Sequence, residues 1–314
     1  MEFLNQTFVR RFAAVTAVAT WFLLVAGALV TSTGSGLSVP DWPLSYGQWM
    51  PPMVGGVFFE HGHRMVAGTV ALLTVFLAFA IAKTESRTWV RNMAFTAVGL
   101  VVVQATLGGL TVLLRLPPAV SVSHAFLGQS FFCLVAVLAF VLNDTSDAAR
   151  LDPRPEERGL FWFSVCLTAG FLLQLFLGAS VRHLHAGLSI PDFPTVYGGL
   201  LPPLWNAQIA FHFAHRITAY VLFAVTLVFV FRLVARERRD KQRVFLCVAW
   251  VGLLVLQVAL GAITIWWQRP VAVTAAHLAV GALCLAASVL LSFRLGSMAG
   301  VLRGQVAQTR WETV

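Results

Sequence analysis

The sequence predicts an all-α integral membrane protein with eight transmembrane helices, arranged as two parallel four-helix-bundle repeats with pseudo-twofold symmetry along the membrane normal. Three observations lead to this prediction: 58% of the 314 residues are apolar and only 11% are charged, eight long apolar runs follow one another, and the second half repeats motifs of the first. Soluble domains average about 45–50% apolar and about 25% charged residues. With a mean hydropathy of +0.80, the composition excludes a water-soluble enzyme, a disordered chain and a small disulfide-stapled fold.

Each apolar run is long enough to cross a bilayer as a helix. A hydrocarbon core about 30 Å thick needs roughly 20 apolar residues in helical conformation. Barrel strands would alternate in polarity, and these runs do not. In chain order, the predicted helices are Phe12–Thr31, His63–Ala82, Met93–Leu114, Val120–Leu142, Gly159–Val181, Gln208–Val234, Val244–Trp267 and Val271–Phe293.

Lysine and arginine set the expected orientation, because cytoplasmic loops carry an excess of both. With an even number of helices, both termini lie on the same side. Of the 22 basic residues, 17 fall on that side, and the five on the other side are Arg64, Arg115, Arg182, Arg216 and Arg269. We therefore expect a multi-pass protein of the cell (inner or plasma) membrane with cytoplasmic termini. The net charge of +9 reflects this bias, and we expect no nucleic-acid partner.

An internal repeat divides the chain. The segment Gly36–Pro43 matches Gly187–Pro194 at an offset of 151, and Gln104–Gly108 matches Gln257–Gly261 at an offset of 153. Four helices per half insert both halves the same way up, so the repeats are parallel. We expect an N-terminal half over 1–143, a cytoplasmic linker over 144–158, a C-terminal half over 159–295 and a cytoplasmic tail over 296–314.

Four of the eight histidines belong to the repeat, two in each half. They lie near the starts of even-numbered helices, at similar depth toward the extracytoplasmic side. Ionisable residues within spans are costly and usually functional, although a single histidine can also cap a helix or bind water. Two interior histidines in each bundle predict a bis-imidazole haem site in each half, and zinc is disfavoured because no third ligand recurs. The predicted axial ligands are His63, His124, His215 and His277.

Two arginines directly follow ligand candidates. Arg64 and Arg216 are suited to bind haem propionates, because guanidinium pairs with carboxylates in bidentate fashion. The alternative is that both side chains extend to the membrane interface.

One acidic residue distinguishes the halves. Glu60 lies three residues before His63, where the second half has His212 three residues before His215. Residues three apart share a helix face, so Glu60 is a candidate catalytic base or stabiliser of a developing cation. The alternative is a glutamate favoured by the dipole at a helix N-terminus. The asymmetry assigns chemistry to the N-terminal half and a permanent cofactor to the C-terminal half.

Together these residues resemble the haem A synthase (heme A synthase) family, over about residues 10–295. The similarity also includes the loop that runs from Thr33 into the Pro-Asp-Trp-Pro turn ending at Pro43. The motifs that carry it are Glu-x-x-His-Arg at Glu60–Arg64, His124, His215-Arg216 and His277.

The resemblance implies an oxidoreductase that converts the ring methyl of haem O to a formyl group through a hydroxymethyl stage, making haem A for terminal oxidases. By this similarity His63 and His124 hold the substrate haem, which becomes haem A, and His215 and His277 hold haem b. Glu60 matches the family's essential acidic position. Some members carry a cysteine pair in the first outer loop, and residues 32–59 contain none. Two histidines on the iron leave no position for oxygen, so water is the expected oxygen source.

The expected partners follow from the same resemblance. They are haem O, the haem O synthase (protohaem farnesyltransferase) that supplies it, an unidentified electron acceptor and membrane lipid. The sequence leaves a homo-oligomer open. Two alternatives also remain: a non-catalytic dihaem cytochrome that passes electrons from quinol, which needs the histidines but not Glu60, and a transporter with parallel repeats, which needs neither.

Overall fold

The computed structural model describes residues 5–143, 157–236, 241–299 and 301. Within them the protein forms eight α-helices, all long and apolar enough to cross a membrane. The chain is therefore an eight-helix integral membrane protein, as the sequence predicts. The helices are α1 Gln6–Ser32, α2 Gly56–Thr84, α3 Thr88–Leu113, α4 Pro118–Asn143, α5 Glu157–His183, α6 Ala207–Arg236, α7 Lys241–Trp266 and α8 Val271–Met298.

Most helices extend beyond the apolar runs that predict them. Hydropathy marks only the part of a helix that lies in hydrocarbon, while the backbone hydrogen bonds continue into the interface. The predicted bounds His63–Ala82 and Gly159–Val181 leave out His61 and His183 for this reason. His61 lies in the second turn of α2, and His183 is the last residue of α5.

Each half forms a ring of four helices. In the first, α1 packs against α2 and α4, and α3 packs against the same two helices. In the second, α5 packs against α6 and α8, and α7 packs against the same two. The halves meet where α1 contacts α8, α4 contacts α5, and α4 contacts α8. A pseudo-twofold axis between α4 and α8 relates these contacts to each other.

Separate apolar cores fill the two rings. Leu77 and Leu138 are fully buried in the first core, and Phe229 packs edge-on against Trp250 in the second. Large apolar side chains also cover the outside, for example Leu72 and Phe231. Water would disfavour so much exposed apolar surface, whereas lipid accommodates it.

The α1–α2 and α5–α6 loops share one structure. Asp41 accepts the backbone N–H groups of Tyr46 and Gly47 at 2.7 and 2.8 Å. In the second loop, Asp192 accepts those of Tyr197 and Gly198, both at 2.8 Å. The aspartate repeated in the sequence is therefore a turn-forming residue in both halves.

Both aspartates also remain ionised to low pH. The N–H of Gly47 is the largest influence on Asp41 and lowers its pKa. Burial raises the pKa of Asp192, but hydrogen bonds from Gly198, Thr195 and Tyr197 outweigh burial and hold that pKa at about 2.

The expected linker and tail lie largely outside the described residues. Of the linker over 144–158, only the last two residues are described, and they begin α5. Of the tail over 296–314, residues 296–299 and 301 are described.

Candidate functional site

The four repeated histidines occupy matching places. Each lies six to eight residues into its helix, which is about 9–12 Å from the start at the helical rise. His63 of α2 interacts electrostatically with His124 of α4, and His215 of α6 interacts with His277 of α8. The structure therefore brings together the two predicted ligands of each half.

Each of these imidazoles packs against a glycine of the preceding helix. A Cβ atom on Gly27 of α1 would stand 3.1 Å from Cε1 of His63, and one on Gly178 of α5 would stand 3.0 Å from Cε1 of His215. The equivalent distances are 3.3 Å for Gly108 with His124 and 3.2 Å for Gly261 with His277. Contacts this close are rare for a Cβ atom, so an added methyl group would require each ring to shift by a few tenths of an ångström.

The ring nitrogens differ between the halves. Nδ1 of His63 and Nδ1 of His124 are buried without a hydrogen-bond partner among the described residues. In the second half, Nδ1 of His277 lies 3.1 Å from the backbone oxygen of Gln257. A proton on that Nδ1 leaves Nε2 as the ligand nitrogen.

Gln174 gives the second half a further contact. Its Nε2 donates to the backbone oxygen of His215 at 3.0 Å and lies 3.1 Å from Nδ1 of the same histidine. At the offset of 151 the first half has Leu23 instead. The imidazole of His215 is therefore tethered by a polar side chain that His63 lacks.

This donor set fits a haem in each half. No group of three or more His, Cys, Asp or Glu side chains converges in the described ranges, and a bis-imidazole haem needs only two, because the porphyrin supplies the other iron ligands. The paired imidazoles and their glycine contacts meet that requirement. His63, His124, His215 and His277 are the residues able to hold the two irons.

Glu60 lies one helical turn before His63 and is only 4% exposed. Its Oε2 accepts the backbone N–H of Val39 at 2.8 Å, and its Oε1 accepts Nη2 of Arg64 at 2.6 Å. The carboxylate therefore joins α2 to the loop. A carboxylate offers about four acceptor sites, so with these two hydrogen bonds Glu60 can still accept a hydrogen bond from another donor.

Arg64 binds the same loop. Its Nη1 donates to the backbone oxygens of Asp41 and Leu44 at 2.7 and 2.9 Å, and its Nη2 donates to that of Val39 at 3.2 Å. The guanidinium predicted to bind a propionate thus holds the α1–α2 loop over the site.

His212 takes the place of Glu60 in the second half and is also 4% exposed. Its Nδ1 lies 3.3 Å from the backbone nitrogen of Ile190, and its Nε2 lies 3.3 Å from Nε of Arg216. A neutral imidazole accepts a hydrogen bond at only one of these two nitrogens. Arg216 also donates to the backbone oxygens of Ile190 and Thr195 at 2.9 and 3.1 Å. Both arginines predicted to bind propionates therefore hold loops through carbonyl oxygens.

The sequence motifs do not identify three residues of the site, which are Gly27, Gly178 and Gln174. Gly27 and Gly178 are related by the offset of 151, so the repeat itself could have revealed them. Gln174 has no equivalent in the first half, and a glutamine in an apolar span was its only signal.

The sequence matches a known protein family and named relatives. Residues 54–289 match the COX15-CtaA family, described as cytochrome oxidase assembly protein. The heme A synthase of Symbiobacterium thermophilum is 32% identical over 262 residues, which cover 80% of this chain and 84% of that protein. Those of Alkalihalophilus pseudofirmus and Bacillus pumilus are each 26% identical and cover 85% of this chain, with 90% and 89% of their own lengths. The chain therefore belongs to the haem A synthase family of integral membrane proteins.

Proposed function

We propose that the protein makes haem A by oxidising the ring methyl of haem O to a formyl group through a hydroxymethyl stage. The observation that carries this proposal is the buried Glu60 one turn before His63, at the place that His212 occupies in the other half. An electron-transfer cytochrome would need both histidine pairs but no buried carboxylate beside only one of them. Membership of the haem A synthase family supports the same activity.

In the proposed reaction, His63 and His124 hold the iron of haem O and fix the position of the porphyrin. Because His63 and His124 would both bind the iron, no position would be left for oxygen, and the proposed oxygen source is water. Each stage removes two electrons and one proton from the substrate carbon and adds the hydroxyl group of one water, which releases its other proton. The second product then loses water to give the aldehyde. Glu60 accepts a proton from the attacking water or stabilises the positive charge at the methyl carbon.

Glu60 is suited to this role by its surroundings. Arg64 and the N–H of Val39 hold it in one orientation, so the carboxylate needs no reorganisation to act. Its burial at 4% exposure keeps it from bulk water, where its electrostatic effect would be weaker.

We assign haem b to His215 and His277 in the C-terminal half. When bound, haem b supplies a one-electron relay between the substrate and an external acceptor. Gln174 and the backbone oxygen of Gln257 fix the orientation of the two imidazoles. These contacts are typical of a cofactor that stays in place.

We also propose the orientation of the protein in the plasma membrane. Both termini and the linker over 144–158 face the cytoplasm, and the haem sites lie toward the extracytoplasmic side, in halves over 1–143 and 159–295. The distribution of basic residues supports this orientation. Labelling of single cysteines at Trp49 and at Thr88 with a membrane-impermeant reagent on intact cells tests it, and labelling at Thr88 alone would contradict it.

Pigment analysis tests the proposed activity. The protein is expressed with a haem O synthase in cells that lack haem A, and extracted haems are separated chromatographically. We expect haem A to appear with the protein and to be missing from cells with the empty vector. Purified protein that contains haem b alone, with no haem A in the cells, would contradict the proposal and favour a dihaem cytochrome.

A further inference from the structure

Two arginines lie beside each other in the second half without a carboxylate between them. Arg182 lies in the last turn of α5, and Arg269 lies in the turn between α7 and α8. They interact electrostatically with each other. The ion pairs formed by the described residues join Arg64 to Glu60 and Arg87 to Glu85, and neither includes Arg182 or Arg269. Two neighbouring cations repel each other, and an anion bound between them would relieve that repulsion.

Arg182 reaches the haem ligand of α8 through a short chain of contacts. Its Nη2 donates to the backbone oxygen of Ala28 at 2.8 Å and to Oγ of Ser32. Oγ of Ser32 also accepts the hydroxyl of Thr274 at 3.0 Å. Thr274 lies three residues before His277, on the same face of α8, and Arg182 interacts electrostatically with His277 itself. The guanidinium therefore lies beside the C-terminal site.

Most donors of this arginine pair are unused. Within the described residues, only Nη2 of Arg182 makes hydrogen bonds, and the Arg269 side chain makes none to other side chains or to the backbone. The aliphatic part of Arg269 packs near Gly187, where an added Cβ would lie 3.5 Å from its Cδ. The free N–H groups suit planar carboxylates, which guanidinium binds through two parallel hydrogen bonds.

The first half has no equivalent pair. At the offsets of 151 and 153, Thr31 stands in the place of Arg182 and Leu116 in the place of Arg269. Arg64 and Arg216, by contrast, occur in both halves and donate to loop carbonyls. The unused cations therefore distinguish the C-terminal site from the N-terminal site.

We propose that Arg182 and Arg269 bind the propionate carboxylates of the haem held by His215 and His277. This inference rests on the proposed function, which places haem b in that half. The arginine pair anchors the cofactor, whereas the N-terminal site, with Thr31 and Leu116, lacks this anchor and can exchange its haem. A site that takes in haem O and releases haem A needs such exchange, and a permanent cofactor does not.

Retention of haem b by the purified, haem-loaded protein tests the proposal. The variants are Arg182→Gln, Arg269→Gln, the double variant and Arg182→Lys, and the control is Arg115→Gln, at an exposed arginine beside Leu116. Transfer of haem b to excess apomyoglobin is followed by absorption in detergent. We expect the double variant to lose haem b at least about tenfold faster than the wild type, because charge-assisted hydrogen bonds are lost. We expect wild-type loss rates from Arg115→Gln and a smaller increase from Arg182→Lys than from Arg182→Gln.

The midpoint potential of haem b gives a second readout. Removal of the two positive charges should lower this potential in the double variant, because the reduced iron loses electrostatic stabilisation. A wild-type loss rate and potential in the double variant would overturn the inference and leave the proposed function intact. Equal defects in Arg182→Lys and Arg182→Gln, with wild-type behaviour of Arg269→Gln, would also overturn it, because the arginine would then only join α5 to α1. A wild-type protein without haem b in the C-terminal half would overturn both.

Discussion

Glu60 and His212 occupy the same place in the two halves of the protein. Glu60 accepts the backbone N–H of Val39, His212 lies 3.3 Å from the backbone nitrogen of the equivalent residue Ile190, and each contacts the arginine four residues later. The two halves thus use one architecture to hold the loop over the histidines. They differ in charge, because a carboxylate stands over the first site and an imidazole over the second.

This equivalence gives a matched pair of variants at position 60. Glu60→His installs the residue that the second half uses and keeps an acceptor for Val39, while Glu60→Gln removes the charge with little change in shape. If the carboxylate acts on the substrate, both variants should form haem A at least about 100-fold more slowly. The measurement is haem A per protein after co-expression with a haem O synthase.

The control for this pair is Glu85→Gln, which breaks the other ion pair among the described residues, with Arg87. Haem A formation should be unchanged in this control. Wild-type haem A formation in Glu60→His would show that position 60 serves only to hold the loop.

The glycines behind the histidines give a steric prediction. Gly27→Ala should displace the ring of His63, and Gly178→Ala should displace that of His215, because the new methyl group would stand 3.1 or 3.0 Å from Cε1. We expect Gly27→Ala to lose haem O binding and Gly178→Ala to lose haem b. Absorption spectra and extracted pigments of the purified variants measure both losses.

Matched controls exist on the same kind of helix. A Cβ at Gly68 of α2 or at Gly252 of α7 would meet no atom within 4 Å. Gly68→Ala and Gly252→Ala should therefore bind both haems as the wild type does. If these controls lose haem as readily as the variants behind the histidines, the glycine contacts are not specific.

Gln174 predicts a difference in redox properties. Its Nε2 donates to the backbone oxygen of His215 and lies 3.1 Å from Nδ1 of the same histidine. Loss of a contact that orients a ligand imidazole typically costs about 10–100-fold in affinity or activity. Gln174→Leu, which copies Leu23 of the first half, should weaken haem b binding and shift its midpoint potential. An unchanged potential in a redox titration would mean that Gln174 does not act on the ligand.

The loop aspartates predict the response to acid. Because the pKa of Asp192 is about 2 in the folded protein and about 3.9 in an unfolded chain, its ionisation stabilises the folded loop above pH about 4. That stabilisation should be lost as the pH falls from about 4 through about 2. Hydrogen exchange of the Tyr197 and Gly198 amides should accelerate over this range relative to the intrinsic rate. In Asp192→Asn the protection should not change over the same range, and equal pH dependence in both proteins would contradict this assignment.

Much of the fold could be predicted from the sequence, because lipid imposes a strong rule. Every span must satisfy its own backbone hydrogen bonds and be apolar over about 20 residues, so the eight helices are visible as hydropathy. Hydropathy does not show where the helices end, since α2 extends through polar residues back to its start at Gly56. His61, which lies outside the predicted helix, belongs to that extension and shares a hydrogen bond with Ser45 at 2.7 Å.

From the sequence, only those residues of the site that the internal repeat marks could be predicted. The four histidines and Glu60 stand out because two copies can be compared. The loop contacts of Arg64 and the contacts of Arg182 with Ala28 and Ser32 depend on tertiary geometry that no spacing reveals. The sequence predicted that Arg64 binds a propionate, because guanidinium pairs well with carboxylates. In the folded protein, its guanidinium donates to backbone carbonyl oxygens.

In the proposed function, the two halves hold different haems for different purposes. The most direct measurement is the haem composition of purified His63→Ala and His277→Ala proteins after co-expression with a haem O synthase. We predict that His63→Ala keeps haem b but contains neither haem O nor haem A, and that His277→Ala loses haem b while still binding haem O. Loss of haem b from His63→Ala, with haem O retained, would contradict the assignment of the two halves.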